Sequence, residues 1–188
     1  MNNKLYILII LASLVLAAPD WDKVQEESVE LFQEYLRIDT SNPPGDVRQG
    51  VDWLSNQFEK NEIYYETFTV DEDPRRMHIL AVFPGTNTNL KSLLLLNHID
   101  VVPADYSSWS VDPFKAEIID DVIYGRGALD MKCLGIMQLM SLILLKREGW
   151  EPERTVKFLG VADEEILGEY GVQWMIDNHW EKLDPEWV

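Results

Sequence analysis

Three short segments that follow predicted strands contain residue types that could bind a metal ion or act as general acids and bases. His98 and Asp100 follow the apolar run Leu93–Leu96. Being two residues apart, they project from one face of a strand. Asp130 precedes an apolar helical stretch, and three consecutive acids occupy residues 163–165 after another apolar run. Ligands of open α/β sheets bind beyond the carboxyl ends of the strands, so we expect these runs to meet in one cleft.

An imidazole beside carboxylates suits a hydrolytic zinc site. Zinc accepts imidazole nitrogen and carboxylate oxygen and keeps a position open for water, which it activates near neutral pH. The candidate ligands are His98, Asp130 and Glu165. A metal-binding histidine usually donates its other N–H to a carboxylate, and Asp100 is placed to orient His98 in this way. Glu164, adjacent to a ligand, is the candidate general base.

Each run also has an ordinary structural explanation. A histidine two residues before an aspartate is more often a capped strand end than a metal site. The acids at 163–165 would suit the start of a solvated helix, where the dipole favours negative charge. Asp130 is a good N-cap for the helix that follows it. The coincidence of three such runs at three strand ends favours the metal site.

The elements that position these side chains follow from hydrophobic periodicity. Helical spacing predicts helices over 20–38, 47–61, 131–148 and 168–179, and apolar runs predict strands within 62–70, 77–85, 91–100 and 154–165. Two short strands around an Asp-Asp turn are expected within 115–127. The pattern predicts an α/β domain with a layered, mixed and largely parallel sheet and helices on both faces.

The first 18 residues predict a targeting segment. A lysine precedes an apolar run that closes with Ala17 and Ala18, as in a cleaved secretory signal peptide. The alternative is an uncleaved signal-anchor. We therefore expect a secreted or secretory-lumen protein, residues 19–188, with no membrane contact after cleavage.

Composition excludes some partners and cross-links. The chain has 188 residues and a formal net charge of −17, which should repel nucleic acid and anionic membranes. Cys133 is the only cysteine, so no intramolecular disulfide can form. We interpret Cys133 as a small core residue rather than a nucleophile.

Four motifs in order, "NHIDVVP", "W-x-x-DPF", "IYGRGALDMK" and "ADEE", make the chain resemble a known family. This is the co-catalytic zinc aminoacylase/carboxypeptidase family, which includes aminoacylases, glutamate carboxypeptidases, acetylornithine deacetylase and succinyl-diaminopimelate desuccinylase. The opening loop "IDTSNPPG" is similar as well. The resemblance implies a zinc exopeptidase-like catalytic domain that hydrolyses amide bonds in N-acyl-amino acids or small peptides.

The resemblance also implies roles for single residues. His98 and Glu165 would bind one zinc, and Asp130 would bridge two. Glu164 would take a proton from the bridging water and later protonate the leaving amine, while Asp100 orients His98. The peptide bond after Asp130 would be cis. Residues 125–127 would shape the loop that presents Asp130.

The chain departs from the family in extent. Full-length members are longer, and the second-zinc carboxylate, a last histidine ligand and the lid or dimerisation domain belong to motifs that this chain lacks. We therefore expect residues 19–188 to be an N-terminal half, with one zinc or none and with weak or no activity. Homodimers are possible only in full-length relatives. The alternatives are a non-catalytic secreted binding module and an unstable fragment.

Four other candidates have a structural interpretation. We expect His78 within a strand and His179 on the surface. Trp109 and Phe114, in the loop after the histidine motif, are interpreted as buried loop anchors rather than substrate contacts.

Overall fold

The computed structural model describes residues 18–188, so the predicted signal peptide over residues 1–18 lies outside this range except for Ala18. The helices of this range are α1 (Trp21–Leu36), α2 (Arg48–Lys60), α3 (Lys132–Arg147) and α4 (Val172–Leu183). The strands are β1 (Tyr64–Thr69), β2 (Met77–Phe83), β3 (Ser92–His98), β4 (Glu117–Ile119), β5 (Val122–Tyr124), β6 (Val156–Val161) and β7 (Pro185–Trp187). A short 3-10 helix spans Tyr106–Ser108.

Five strands form a mixed sheet in the order β1-β2-β6-β3-β7. The pairs β1–β2 and β2–β6 are antiparallel, whereas β3 runs parallel to both β6 and β7. His98 pairs in register with Val161 in the parallel β3–β6 ladder. The residues that follow these two central strands therefore leave the sheet at the same edge, as the sequence predicted.

Helices cover both faces of the sheet. Successive side chains of a strand point to opposite faces, and the central strands carry apolar side chains on both, so each face needs a covering layer. Phe158 faces the larger core, where it packs with buried residues of α1, α2 and α3 such as Tyr35, Phe58 and Leu139. The next residue, Leu159, faces the smaller core beneath α4, which contributes Met175. The expected α/β layered architecture is confirmed.

The hairpin predicted around the Asp-Asp turn forms a separate two-stranded ribbon, β4–β5. Asp120 and Asp121 have φ of 50° and 62°. Positive φ at both central residues is the geometry of a two-residue hairpin turn that matches strand twist, and aspartate tolerates it.

Within residues 18–188, no helix combines the length and the apolar character needed to cross a membrane.

Candidate metal centre

The three predicted zinc ligands come together at the edge where β3 and β6 end. One nitrogen of His98 and one carboxylate oxygen each of Asp130 and Glu165 lie within 4.8 Å of one another. His98 ends β3, Asp130 lies in the loop before α3, and Glu165 follows β6. Among residues 18–188 this is the one group of histidine, cysteine and acidic side chains with the spacing of a metal site.

The His98 ring is held so that one nitrogen faces the cluster. Nδ1 lies 2.9 Å from the backbone oxygen of Asp100 and 3.5 Å from its carboxylate Oδ1. Nε2 lies 3.0 Å from Oδ1 of Asp130 and 3.7 Å from Oε2 of Glu164. Asp100 therefore contacts the ring, but the shorter contact is to its carbonyl, whereas we expected from the sequence that the carboxylate would accept the N–H.

The Asp100 carboxylate mainly holds the acidic loop. It is fully buried and accepts hydrogen bonds from the backbone N–H of Glu164 and of Glu165, both at 3.2 Å, and from Asn42 Nδ2 at 2.8 Å. Burial by itself raises the pKa of Asp100, but hydrogen bonds from His98, Asn42 and the Glu165 backbone outweigh it and lower the pKa. Asp100 is thus an ionised anchor beneath two candidate site residues.

Asp130 is presented to the cluster rather than to the helix. The N-cap of α3 is Met131, without a side-chain capping bond, so Asp130 does not cap that helix. Its side chain is 76% exposed, and the Asp130–Met131 peptide bond is cis, as the resemblance implied. Gly127 has φ of +80°, and a Cβ there would meet Val101 at 2.5 Å, so this turn requires glycine.

Glu164 and Glu165 differ in their surroundings. The Glu164 side chain is 52% exposed, with its carboxylate beside His98 and open to solvent. Glu165 is half-buried and accepts a hydrogen bond from Val102 N at 3.2 Å. Burial raises the pKa of Glu165; His98 opposes this rise, while Asp130 and Asp100 add to it. The Glu164 carboxylate is therefore the more accessible of the two to solvent.

The electrostatics of the cluster favour a cation. Burial by itself lowers the pKa of His98, but its hydrogen bonds to Asp100 and Asp130 outweigh burial and raise the pKa to about 9. One imidazole nitrogen and two carboxylate oxygens are the donor types that zinc accepts. The residues present therefore fit a bound zinc ion.

The remaining predicted candidates lie outside this group. His78 is buried in β2, as expected, and stacks on Trp174 with ring centroids 5.2 Å apart. His179 was expected on the surface, but it is half-buried against Phe68 and Trp174, at 4.5 and 5.1 Å. Aromatic packing explains both histidines without a ligand.

Three loop and helix candidates are only partly buried. Trp109 is half-buried beneath the Arg126 guanidinium, 5.3 Å from the ring centroid, and Phe114 is half-buried near Tyr106. Cys133 is half-buried as well and donates to Leu129 O at 3.3 Å, so its interpretation as a core residue is wrong. The helix places its sulfur on the rim of the core.

Sequence reasoning missed a buried polar layer behind the cluster. Asn42 and Arg76 contact Asp163, the first acid of the 163–165 run, and Asn42 also contacts Asp100. In the sequence, the opening loop that contains Asn42 stands out only through the family resemblance. Nothing in the local sequence distinguishes Arg76 from the exposed Arg75 beside it.

A mixed sheet whose parallel strand ends bring together one imidazole and several carboxylates is an arrangement that can hold a metal ion beyond those strand ends. "Peptidase family M20/M25/M40" matches residues 94–188, and the chain belongs to this family. The resemblance drawn from the motifs is thereby confirmed.

Relatives and solved structures agree with this membership. Aminoacylase-1 of Sus scrofa is 39% identical over 150 residues, which cover 79% of this chain and 36% of that protein. The M20 family metallo-carboxypeptidase Sso-CP2 from Sulfolobus solfataricus aligns with a TM-score of 0.74 and 28% identity, over 85% of this chain and 36% of that one. The Saccharomyces cerevisiae di-peptidase Dug1p shares the fold, with a TM-score of 0.70 and 18% identity over 86% and 37% of the two chains. The chain thus spans little more than a third of these proteins.

Proposed function

We propose that the chain supplies the zinc-binding part of a hydrolase that cleaves amide bonds in N-acyl-amino acids or small peptides. The observation that carries the proposal is the convergence of His98, Asp130 and Glu165 within 4.8 Å, with the Glu164 carboxylate beside them. The names of the pig relative, an aminoacylase, and of the Sulfolobus structure, a metallo-carboxypeptidase, support an amide substrate.

Each residue of the cluster has its own role in the proposed hydrolysis. A bound zinc ion supplies Lewis-acid polarisation of the substrate carbonyl and a water of lowered pKa. His98 would hold the ion through Nε2, because Nδ1 is engaged by Asp100. Asp130 and Glu165 would add carboxylate oxygens. Glu164 would take a proton from water and return it to the leaving amine, and its exposed carboxylate 3.7 Å from His98 Nε2 supports this role.

We further propose that this chain by itself turns over substrate weakly or not at all. Residues 18–188 bring together one group of ligands, enough for one ion. The family resemblance implies a second ion held partly by motifs outside this chain. A single-ion site would still bind zinc but would stabilise the transition state less well.

The test combines zinc calorimetry on the full chain with assays on N-acetyl-amino acids and dipeptides in Zn²⁺ and Co²⁺. We expect one bound ion and little turnover. The matched variants are Glu164→Gln and Glu169→Gln, since Glu169 is an exposed acid of the same loop. Robust turnover lost only in Glu164→Gln would overturn the proposal of weak activity, and a chain that takes up no zinc would contradict the metal centre itself.

For location we propose the secretory pathway. The support is the apolar run that ends at Ala17 and Ala18. Amino-terminal sequencing of the product from a eukaryotic expression host should give a chain that begins near Pro19. A product that retains Met1 would contradict cleavage of the signal, and one that also fractionates with the cytosol would contradict the secretory pathway.

A further inference from the structure

A buried polar layer lies directly behind the metal cluster and connects four distant parts of the chain. Its members are Asn42, Arg76, Asp100 and Asp163, with relative exposures of 1%, 7%, 0% and 2%. Asn42 comes from the opening loop, Arg76 precedes β2, and the two acids follow β3 and β6. Polar groups this deeply buried must bond to one another, because water cannot reach them.

Asn42 is the hub of this layer. Its Nδ2 donates to Asp100 Oδ2 at 2.8 Å and to Asp163 Oδ1 at 3.0 Å, which uses both amide hydrogens. Its Oδ1 accepts from Arg76 Nη2 at 3.4 Å. One neutral side chain thus joins two buried carboxylates and completes its own hydrogen bonding.

Arg76 fixes the hub from the opposite side. Its Nε donates to Asp163 Oδ1 at 2.9 Å, and its Nη1 donates to the backbone oxygen of Gly45 at 2.7 Å and to that of Pro44. It also lies 3.6 Å from Asp73. A guanidinium is rigid and planar, so these bonds fix the loop that contains Asn42 against the acidic loop.

The charge of the layer explains why an amide stands at position 42. Asp100 and Asp163 are two buried carboxylates, and Arg76 is the one cation of the four-residue layer. A carboxylate at position 42 would add a third negative charge to the layer. An apolar side chain would remove the 2.8 Å donor to Asp100 Oδ2 and leave that oxygen only the longer bond from the Glu165 backbone N–H. The asparagine amide satisfies both acids and adds no charge.

We propose that Asn42 is a positioning residue of the metal centre, acting through Asp100. This inference rests on the proposed zinc site. By holding Oδ2, Asn42 sets the rotation of the Asp100 carboxylate, so that the backbone N–H groups of Glu164 and Glu165 and the His98 ring all find their acceptors. The side-chain hydrogen bonds of Asn42 go to Asp100, Asp163 and Arg76 and not to a candidate ligand, so it would affect the ligands through Asp100.

The experiment measures zinc affinity by calorimetry and the visible absorption of the Co²⁺ form for the full chain and three variants. Asn42→Ala should weaken zinc binding by roughly 10–100-fold, as loss of outer hydrogen bonds at metal sites does, and should change the Co²⁺ spectrum. Asn42→Ser retains one donor and should fall between Asn42→Ala and wild type. Ser41→Ala, a change in the same loop outside the polar layer, should match wild type. Near-UV circular dichroism checks that each variant is folded.

The possible outcomes distinguish a failure of the Asn42 inference from a failure of the proposed zinc site. If the wild-type chain binds zinc and folded Asn42→Ala binds it equally well with an unchanged Co²⁺ spectrum, Asn42 has only a structural role and the inference is overturned. If the wild-type chain binds no zinc, the proposed function fails and the inference fails with it.

A measurement on the wild-type chain applies if the variants do not fold. Zinc should shift the Asn42 side-chain amide signals in a ¹⁵N-resolved NMR spectrum, and should leave those of Asn178, an exposed residue of α4 bonded to Trp174 O, in place. An Asn42 signal that zinc leaves unmoved would also overturn the inference.

Discussion

His98 Nε2 lies 3.0 Å from Oδ1 of Asp130, a residue 32 positions further along the chain. The contact joins a buried ring to a largely exposed carboxylate at the edge where two parallel strands end. Imidazole nitrogen and carboxylate oxygen are both donors that zinc accepts, so these two groups would both coordinate an ion held at this edge.

The first prediction concerns the ligands. Asp130→Asn should lower zinc affinity by more than roughly 100-fold, because loss of a ligand exceeds the 10–100-fold cost of losing an outer hydrogen bond. Calorimetry measures this, with Asp52→Asn, on the exposed side of α2, as the matched control. Equal zinc affinity in the two variants would remove Asp130 from the site.

The second prediction concerns acid stability and His78. Burial, together with His179, lowers the pKa of His78 from 6.5 to about 4. Between these pH values His78 binds a proton in the unfolded chain but not in the folded chain. The free energy of unfolding therefore falls as pH drops from about 6.5 to about 4, by about 3 kcal/mol in all.

Denaturant unfolding of wild type and His78→Gln, both with chelator present, measures this effect. The wild-type free energy of unfolding should fall by about 3 kcal/mol more than that of the variant between pH 7 and pH 4. Between pH 7 and pH 8 the difference between the two proteins should stay constant. Parallel curves throughout would show that His78 is not the acid-sensitive group.

The third prediction concerns Lys132, whose side chain is fully buried. Its Nζ donates to the backbone oxygens of Tyr35 and Ile38, at 3.1 and 2.7 Å, where α1 ends. Burial lowers its pKa to about 7, with Asp39 opposing the shift. Lys132→Met should reduce the free energy of unfolding by about 2 kcal/mol at pH 8, above the folded pKa, where the buried amine is uncharged and carries no desolvation cost, because the Tyr35 and Ile38 carbonyls each lose a donor.

Thermal or denaturant unfolding measures the Lys132 effect, and Lys146→Met on the exposed side of α3 is the control. The control should remain within about 0.5 kcal/mol of wild type, as surface changes usually do. If Lys132→Met proved as stable as the control, the buried amine would not be needed to close α1.

The fourth prediction concerns the turn of the acidic loop. A Cβ at Gly168 would lie 1.7 Å from Asp163 Oδ2. The Asp163 carboxylate cannot easily move away, because Arg76 and Asn42 both donate hydrogen bonds to its other oxygen, Oδ1. Gly168→Ala should therefore destabilise the protein by about 3 kcal/mol, toward the upper end of single substitutions, and should weaken zinc binding as the loop shifts.

Gly149→Ala is the control for the Gly168 variant, since a Cβ at Gly149 meets nothing within 4 Å and only its φ of +64° is unfavourable. It should lose about 1 kcal/mol and keep its zinc affinity. A Gly168→Ala protein that behaves like this control would show that the loop adjusts freely.

Local sequence patterns were sufficient to predict most of the helices and strands and the residues of the candidate cluster. The apolar runs of β3 and β6 and the helical spacing of α1 to α3 are local patterns of burial, readable because each element must hide one face. The Asp-Asp turn was predictable for a different local reason, because few residue types tolerate positive φ at both central positions of a hairpin turn. The ordered motifs around His98, Asp130 and Glu165 were specific enough to indicate the family.

The groups that support the site are identifiable only from the folded arrangement of the chain. Asn42 and Asp163 are 121 residues apart, and Arg76 and Asp163 are 87 apart, so no local pattern relates them. The folded arrangement also decided that the Asp100 carbonyl, not its carboxylate, makes the shorter bond to His98. Hydrogen bonds between buried polar groups depend on distances of a few tenths of an ångström, which packing of the whole sheet and its loops sets and residue spacing does not.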